Sequence, residues 1–203
     1  MSTSFTILTV CTGNICRSPL AKQLLELELE LPGADIIRVD SAGVQAMVDS
    51  PMPEQSLEIA RKQGVESPEE HRAKQISEEL INQSDLILAM DRGHRKSIVQ
   101  LSPRATRKVF TVVDLARLIE ATTDADLQEE LNLAGDSVIE RLHATVEAAR
   151  LSRSELNPLD NPADEDIVDP YGKSQSVYEA SASQLIPAIR LIASYLNKAL
   201  ESA

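Results

Sequence analysis

The sequence is poor in aromatic residues. It has no tryptophan, two phenylalanines and three tyrosines in 203 residues, so its core must rest on Leu, Ile, Val and Ala. Cysteine occurs twice, at Cys11 and Cys16. Two thiols that close together cannot staple a small secreted scaffold, and alone they cannot complete a four-ligand zinc site. No apolar run approaches the roughly 18 residues that a membrane span needs, which disfavours membrane insertion. Met1 leads into an apolar strand without the basic n-region of a signal peptide, so a reducing, cytoplasmic location is expected. Positive charge is also scarce. Twenty Lys and Arg face 32 Asp and Glu, for a net charge of −12. Such a surface repels phosphate-rich polymers and anionic membranes, which disfavours a nucleic-acid partner. There is no Gly-Lys-Ser/Thr Walker sequence, so a nucleotide P-loop is disfavoured.

What is present reads as alternating strands and helices in a single domain over 1–203. Phe5–Val10 is a short apolar run rich in β-branched residues and reads as a buried strand, and Ile36–Asp40, Asp85–Met90 and Lys108–Val112 read as three more strands. Between them lie helical patterns. The first starts at Ser18 with Pro19 at a position that suits N1, carries Leu20, Leu24, Leu27 and Leu31, and is stopped by Pro32-Gly33. Further helices are expected over Pro53–Gln63 with Gly64 at the C-cap, over Ile76–Asn82, and up to about Leu101. Asp114 is expected to cap the next helix. This alternation predicts an α/β fold with a doubly wound parallel sheet, whose ligands bind beyond the carboxyl ends of the strands. A helical insertion at about 116–165 is expected, with Asp126 and Glu129 as a capping box. The closing helix spans roughly Val177–Leu200 and contains Pro187.

The chemistry sits directly after the first strand. Cys11-Thr12-Gly13-Asn14-Ile15-Cys16-Arg17-Ser18 places five residues between a cysteine and an arginine. That spacing can close a tight loop around one tetrahedral oxyanion, with successive N–H groups pointing inward. The following helix adds its positive N-terminal end. Both effects favour a thiolate, the nucleophilic form. The planar fork of Arg17 can hold two phosphoryl oxygens. Gly13 and Asn14 tolerate the positive φ that a nest needs, and the Ser18 hydroxyl lies within reach of the Cys11 sulfur. A lone Cys-x5-Arg is more often a buried structural Cys beside a surface Arg; its setting between a strand and a Pro-started helix favours function. An acid for the leaving oxygen is offered by Asp169 in Asp169-Pro170-Tyr171-Gly172, although Asp-Pro alone is most often a turn. Asp160, Asp164 and Asp166 read as a solvated acidic stretch rather than a metal site. His71, His94 and His143 are scattered and read as structural or surface residues.

With these pieces in order the sequence resembles the low-molecular-weight protein tyrosine phosphatases. The resemblance is carried by Cys11–Pro19, Asp40-Ser41-Ala42-Gly43, His71-Arg72-Ala73-Lys74-Gln75, Asp85–Asp91 and Asp169-Pro170-Tyr171, and leaves out most of 116–165. It implies a four-stranded parallel sheet and a two-step hydrolysis with no metal or organic cofactor. Cys11 would form a phosphocysteine, Arg17 and the loop amides would hold the phosphoryl group, and Asp169 would act as acid and then base. Asn14, Ser41 and His71 would support the loop. Cys16 would serve as a resolving thiol for an oxidised Cys11, against the plainer reading of a small buried residue. The segment Val44-Gln45-Ala46-Met47-Val48 matches the variable pocket wall and has no aromatic, so a phosphotyrosine ring would pack on Tyr171 and aliphatic groups such as Met47. This is similar to the bacterial branch that accompanies tyrosine autokinases of polysaccharide export, which implies a phosphotyrosine-containing protein as partner. Oligomeric state has no signature here. Two rivals remain: an arsenate reductase that uses an external small thiol, and a non-catalytic phosphotyrosine-binding protein.

Overall fold

The computed structural model describes residues 4–29 and 36–201. The first apolar run forms β1 (Phe5–Cys11), buried at all but one residue. It pairs in parallel with β2 (Ile37–Gly43) on one side and β3 (Leu86–Ala89) on the other, and β3 pairs with β4 (Val109–Thr111) at the edge. The order β2-β1-β3-β4 makes the expected four-stranded parallel sheet. Helices flank it: α1 (Arg17–Glu28), α2 (Glu54–Lys62), α3 (Glu78–Gln83), α4 (Arg92–Leu101), α5 (Val112–Ala121), α6 (Asp124–Leu133), α7 (Val138–Leu151) and α8 (Gln175–Glu201). The period of two along each strand divides the core. Phe5, Ile7, Leu86 and Leu88 face the larger layer of α1, α2, α5, α7 and α8. Leu8, Val10, Ile87 and Ala89 face Ile81 of α3 and Ile98 of α4. Strand order reverses direction between β1 and β3, so the carboxyl end of β1 lies at the switch point, where the fold leaves a crevice. Cys11 is the last residue of that strand.

Several local expectations change. Helix α1 starts at Arg17, so Pro19 is its third residue rather than its first; the position is tolerated because the first four N–H groups of a helix have no intrahelical partner. Leu27 is 48% exposed, and the buried face runs through Leu20, Ala21, Leu24 and Leu25 instead. Leu31 and Pro32-Gly33 lie outside the described residues. Thr111, not Asp114, caps α5; its hydroxyl accepts from the Asp114 N–H, and the Asp114 carboxylate instead receives Arg153 at 2.6 Å. The capping box of α6 pairs Thr123 with Asp126, and a second box, Ser137 with Glu140, opens α7.

Helices α6 and α7 pack on each other, and α7 packs on α5 and α8. Near the amino end of the sheet His143 of α7 stacks edge-on against Phe5, with ring centroids 5.1 Å apart, and its Nε2 lies 3.4 Å from Asp85.

Candidate active site

The turn from β1 into α1 has no side-chain cap and no acidic residue in the helix's first turn. Its free N–H groups therefore face the loop formed by Cys11–Arg17. The carbonyls of Cys11, Thr12 and Gly13 are taken from behind by the N–H groups of Val44, Gln45 and Met47. This ladder seats Met47 beside the loop and ties down the loop's carbonyls. Asn14 has φ 55, the left-handed conformation expected of a nest; Gly13, expected to share it, does not. Gly43 ends β2 so close behind that a Cβ there would collide with the Thr12 carbonyl, which gives the glycine of Asp40-Ser41-Ala42-Gly43 a steric reason.

Cys11 Sγ lies 3.0 Å from Ser18 Oγ and receives the Asn14 N–H at 3.3 Å. The Asn14 amide donates to Ser18 Oγ at 2.9 Å and to Ser41 Oγ at 3.0 Å, and its carbonyl oxygen accepts from Lys74 N. His71 Nε2 lies 2.6 Å from the Asn14 backbone carbonyl. An acceptor there requires that Nε2 carry a proton. Burial, opposed by that bond and joined by the charges of Lys22, Lys74 and Arg72, lowers the His71 pKa from its ordinary 6.5. The ring is a neutral donor that fixes the αL turn.

Arg17 is 3% exposed. Its Nη1 donates to the Ile167 carbonyl at 2.8 Å and lies 3.4 Å from Asp91 Oδ2, while Nη2 is 3.2 Å from Asp169 Oδ2. Nε is buried without a partner, a state that an oxyanion at the loop would complete. Asp169, Tyr171, Ile15, Gln45 and Met47 border the opening above Cys11, a cleft of 170 Å³. Tyr171 is 52% exposed and Met47 40%, so both offer free faces to an incoming group. Asp166 is not such a group: the guanidinium and backbone N–H of Arg92 bind its carboxylate, and its pKa lies below the ordinary value chiefly for that reason. Cys16 is 5% exposed beneath the loop, with Tyr178 Oη 3.8 Å away. Burial pushes its thiol up to about 11.

Two residues without an expected role join the site. Asp91 follows β3 and caps α4, and His94 lies in the first turn of that helix with Nε2 2.8 Å from Thr12 Oγ1. Burial raises the Asp91 pKa, but contacts from the His94 ring and backbone N–H and the charge of Arg17 outweigh it and leave it lowered. The available signal was positional: an Asp just past the carboxyl end of a central strand, with a His three residues on.

The family model for low molecular weight phosphotyrosine protein phosphatases matches residues 6–151. The chain is 39% identical over 110 residues to EpsP of Ralstonia nicotianae, named a probable low molecular weight protein-tyrosine-phosphatase, covering 54% of this chain and 72% of that one. It is 34% identical over 155 residues to a protein-arginine-phosphatase of Geobacillus stearothermophilus, covering 76% and 90%. The solved structure of the tyrosine phosphatase Wzb from Escherichia coli K30, in complex with sulphate, superposes with a TM-score of 0.62 at 26% identity, covering 93% of this chain and 96% of that one. Fold and site together define an α/β protein with a Cys-x5-Arg loop at the switch point of a parallel sheet. The chain belongs to the low molecular weight phosphotyrosine protein phosphatase family, a family of hydrolases. Among the described residues no helix is long and apolar enough to cross a membrane.

Proposed function

We propose that the protein hydrolyses phosphotyrosine monoesters in proteins through a phosphocysteine at Cys11. The observation that carries this reading is the buried, unpartnered Nε of Arg17, at the end of the loop that begins at Cys11, whose sulfur receives the Asn14 N–H. A phosphoryl group seated there meets Nε and Nη2 as a two-pronged clamp. It takes Nη2 away from Asp169, which is then released to the leaving oxygen. The thiolate attacks phosphorus, the phosphorus–oxygen bond breaks, and Asp169 protonates the departing phenolate. Ser18, 3.0 Å from the sulfur, stabilises Cys11 as a leaving group in the second step. There Asp169 takes a proton from water, water attacks phosphorus, and the phosphorus–sulfur bond breaks to give orthophosphate and the thiolate. Asn14, Ser41 and His71 hold the loop for both steps.

The family contains tyrosine and arginine phosphatases, and the cleft wall favours the first. Ile15, Met47 and Tyr171 present apolar and aromatic faces that suit a phenyl ring, whereas a guanidinium buried there would lose its solvation to hydrocarbon. The partner in this reading is a phosphotyrosine-bearing protein, a bacterial tyrosine autokinase being the candidate its resemblance suggests. Two free thiols suit the reducing cytoplasm. The test compares kcat/KM on one peptide carrying phosphotyrosine or phosphoarginine. Preference for phosphotyrosine of at least about 10-fold is expected, with Cys11→Ser inactive on both. Preference for phosphoarginine would transfer the protein to the other branch.

A further inference from the structure

One polar cluster, a buried His94 between half-buried Asp91 and Thr12, has no part in the proposed reaction. It lies on the side of the loop away from Asn14 and His71. Asp91 Oδ1 accepts the His94 backbone N–H at 2.7 Å, and Oδ2 lies 2.9 Å from His94 Nδ1 and 3.4 Å from Arg17 Nη1. Beyond the ring, His94 Nε2 is 2.8 Å from Thr12 Oγ1. His94 is 4% exposed.

We infer that His94 is a positioning residue: held by Asp91, it fixes the Thr12 hydroxyl and with it the first peptide of the anion loop, so that one carboxylate aligns both Arg17 and the loop. This deepens the proposed phosphatase reading and rests on it.

The tautomer follows from the partners. Nδ1 lies 2.9 Å from the Asp91 carboxylate at an angle outside a regular hydrogen bond, and in the neutral ring that carboxylate draws the proton to Nδ1 and leaves Nε2 with a lone pair. Nε2 then accepts, and the Thr12 hydroxyl donates. Thr12 is consequently held at two places: its carbonyl accepts the Gln45 N–H at 3.0 Å, and its hydroxyl is tied to His94. Gly43 packs close behind the same carbonyl. In a nest the direction of each N–H is set by the tilt of its peptide plane. The planes beside Thr12 stand next to the nucleophile, where small misalignments weaken contacts made to the transferring group. Losing the His94 tie lets these planes rock while the fold persists.

The test is a double-mutant cycle on aryl phosphate turnover. Thr12→Val removes the hydroxyl and keeps the shape. His94→Asn keeps an amide donor close to the position of Nδ1 for Asp91 but cannot reach Thr12. Each is expected to lower kcat/KM by about 3- to 10-fold, mainly through kcat, which is the scale of one hydrogen bond. The double variant is expected to match either single, and Thr12→Ser to stay near wild type. Losses that multiply in the double variant, or full turnover in Thr12→Val, would overturn the inference. Nitrogen-15 spectra of the wild-type imidazole supply a reading that needs no variant to fold. Protonation at Nδ1 is expected, and an Nε2–H tautomer would overturn the relay. Should the wild type fail to turn over aryl phosphates, the phosphatase reading falls on that result, and the spectra alone judge whether His94 holds Thr12.

Discussion

Arg17 meets three oxygen partners from two parts of the chain: Asp91 after β3, and the Ile167 carbonyl and Asp169 in one later segment. A lysine cannot copy a planar fork with this many fixed directions. Arg17→Lys should lower kcat by about 10²–10³-fold, the range for losing an oriented donor to the transition state, and should also lower the melting temperature. Near-normal kcat would remove Arg17 from phosphate binding. Cys16 yields a prediction through its raised pKa of about 11. If it resolves a sulfenic acid at Cys11, sulfur–sulfur bond formation releases water and requires the Cys16 thiolate, whose share grows about tenfold per pH unit below its pKa. Activity recovered by dithiothreitol after a peroxide pulse should therefore rise from neutral to alkaline pH, and Cys16→Ser should lose that recovery. A pH-independent recovery shared by both proteins would leave Cys16 as packing. Cys11, Asn14, Arg17 and Ser18 were legible in sequence because they form one contiguous loop. Asp91 and His94 were not, because the bond from His94 to Thr12 joins residues 82 positions apart and no local pattern encodes it.

The segment that carries Asp169 is held by two side chains and one backbone bond rather than by a strand or helix. Asp166 is bound by Arg92, the Ile167 N–H donates to Met90, and the Val168 N–H donates to Gln184. Asp166→Asn should loosen this segment. For an exposed pair the effect is small, up to about 5-fold, and it should fall on poor leaving groups such as phenyl phosphate while p-nitrophenyl phosphate hydrolysis stays near wild type. Equal losses on both would mean that the clamp does not position the acid. In α7, Ser137→Ala removes half of a capping box and should cost about 0.5–2 kcal/mol in denaturant unfolding with turnover unchanged. The strands and most helices were legible from period and composition. Exact starts were not: Thr111, Asp114, Thr123 and Asp126 all have cap chemistry, and only the path of the chain decides which hydroxyl meets which N–H.

Over the whole molecule, stability should depend on pH through His71. Its folded pKa is lowered, so the unfolded chain takes up a proton first as pH falls. The contribution of neutral His71 is complete above 6.5 and is lost progressively below it, until the folded site's own lower pKa is reached. Melting temperature should therefore drop between about pH 7.5 and pH 5.5, with a shallower slope in His71→Gln. An identical slope in both proteins would show that other groups control it. Helix α8 spans the larger layer and packs against α1, α2, α5 and α7 alike. Helix α7 thus shares a partner with the helix whose first turn borders the anion loop, and its detachment would uncover one face of α8. An ion that binds only the folded loop then protects a distant peptide bond. A protease that cuts the turn at 134–137 after transient opening should be slowed by orthophosphate, although that turn offers the ion no contact of its own.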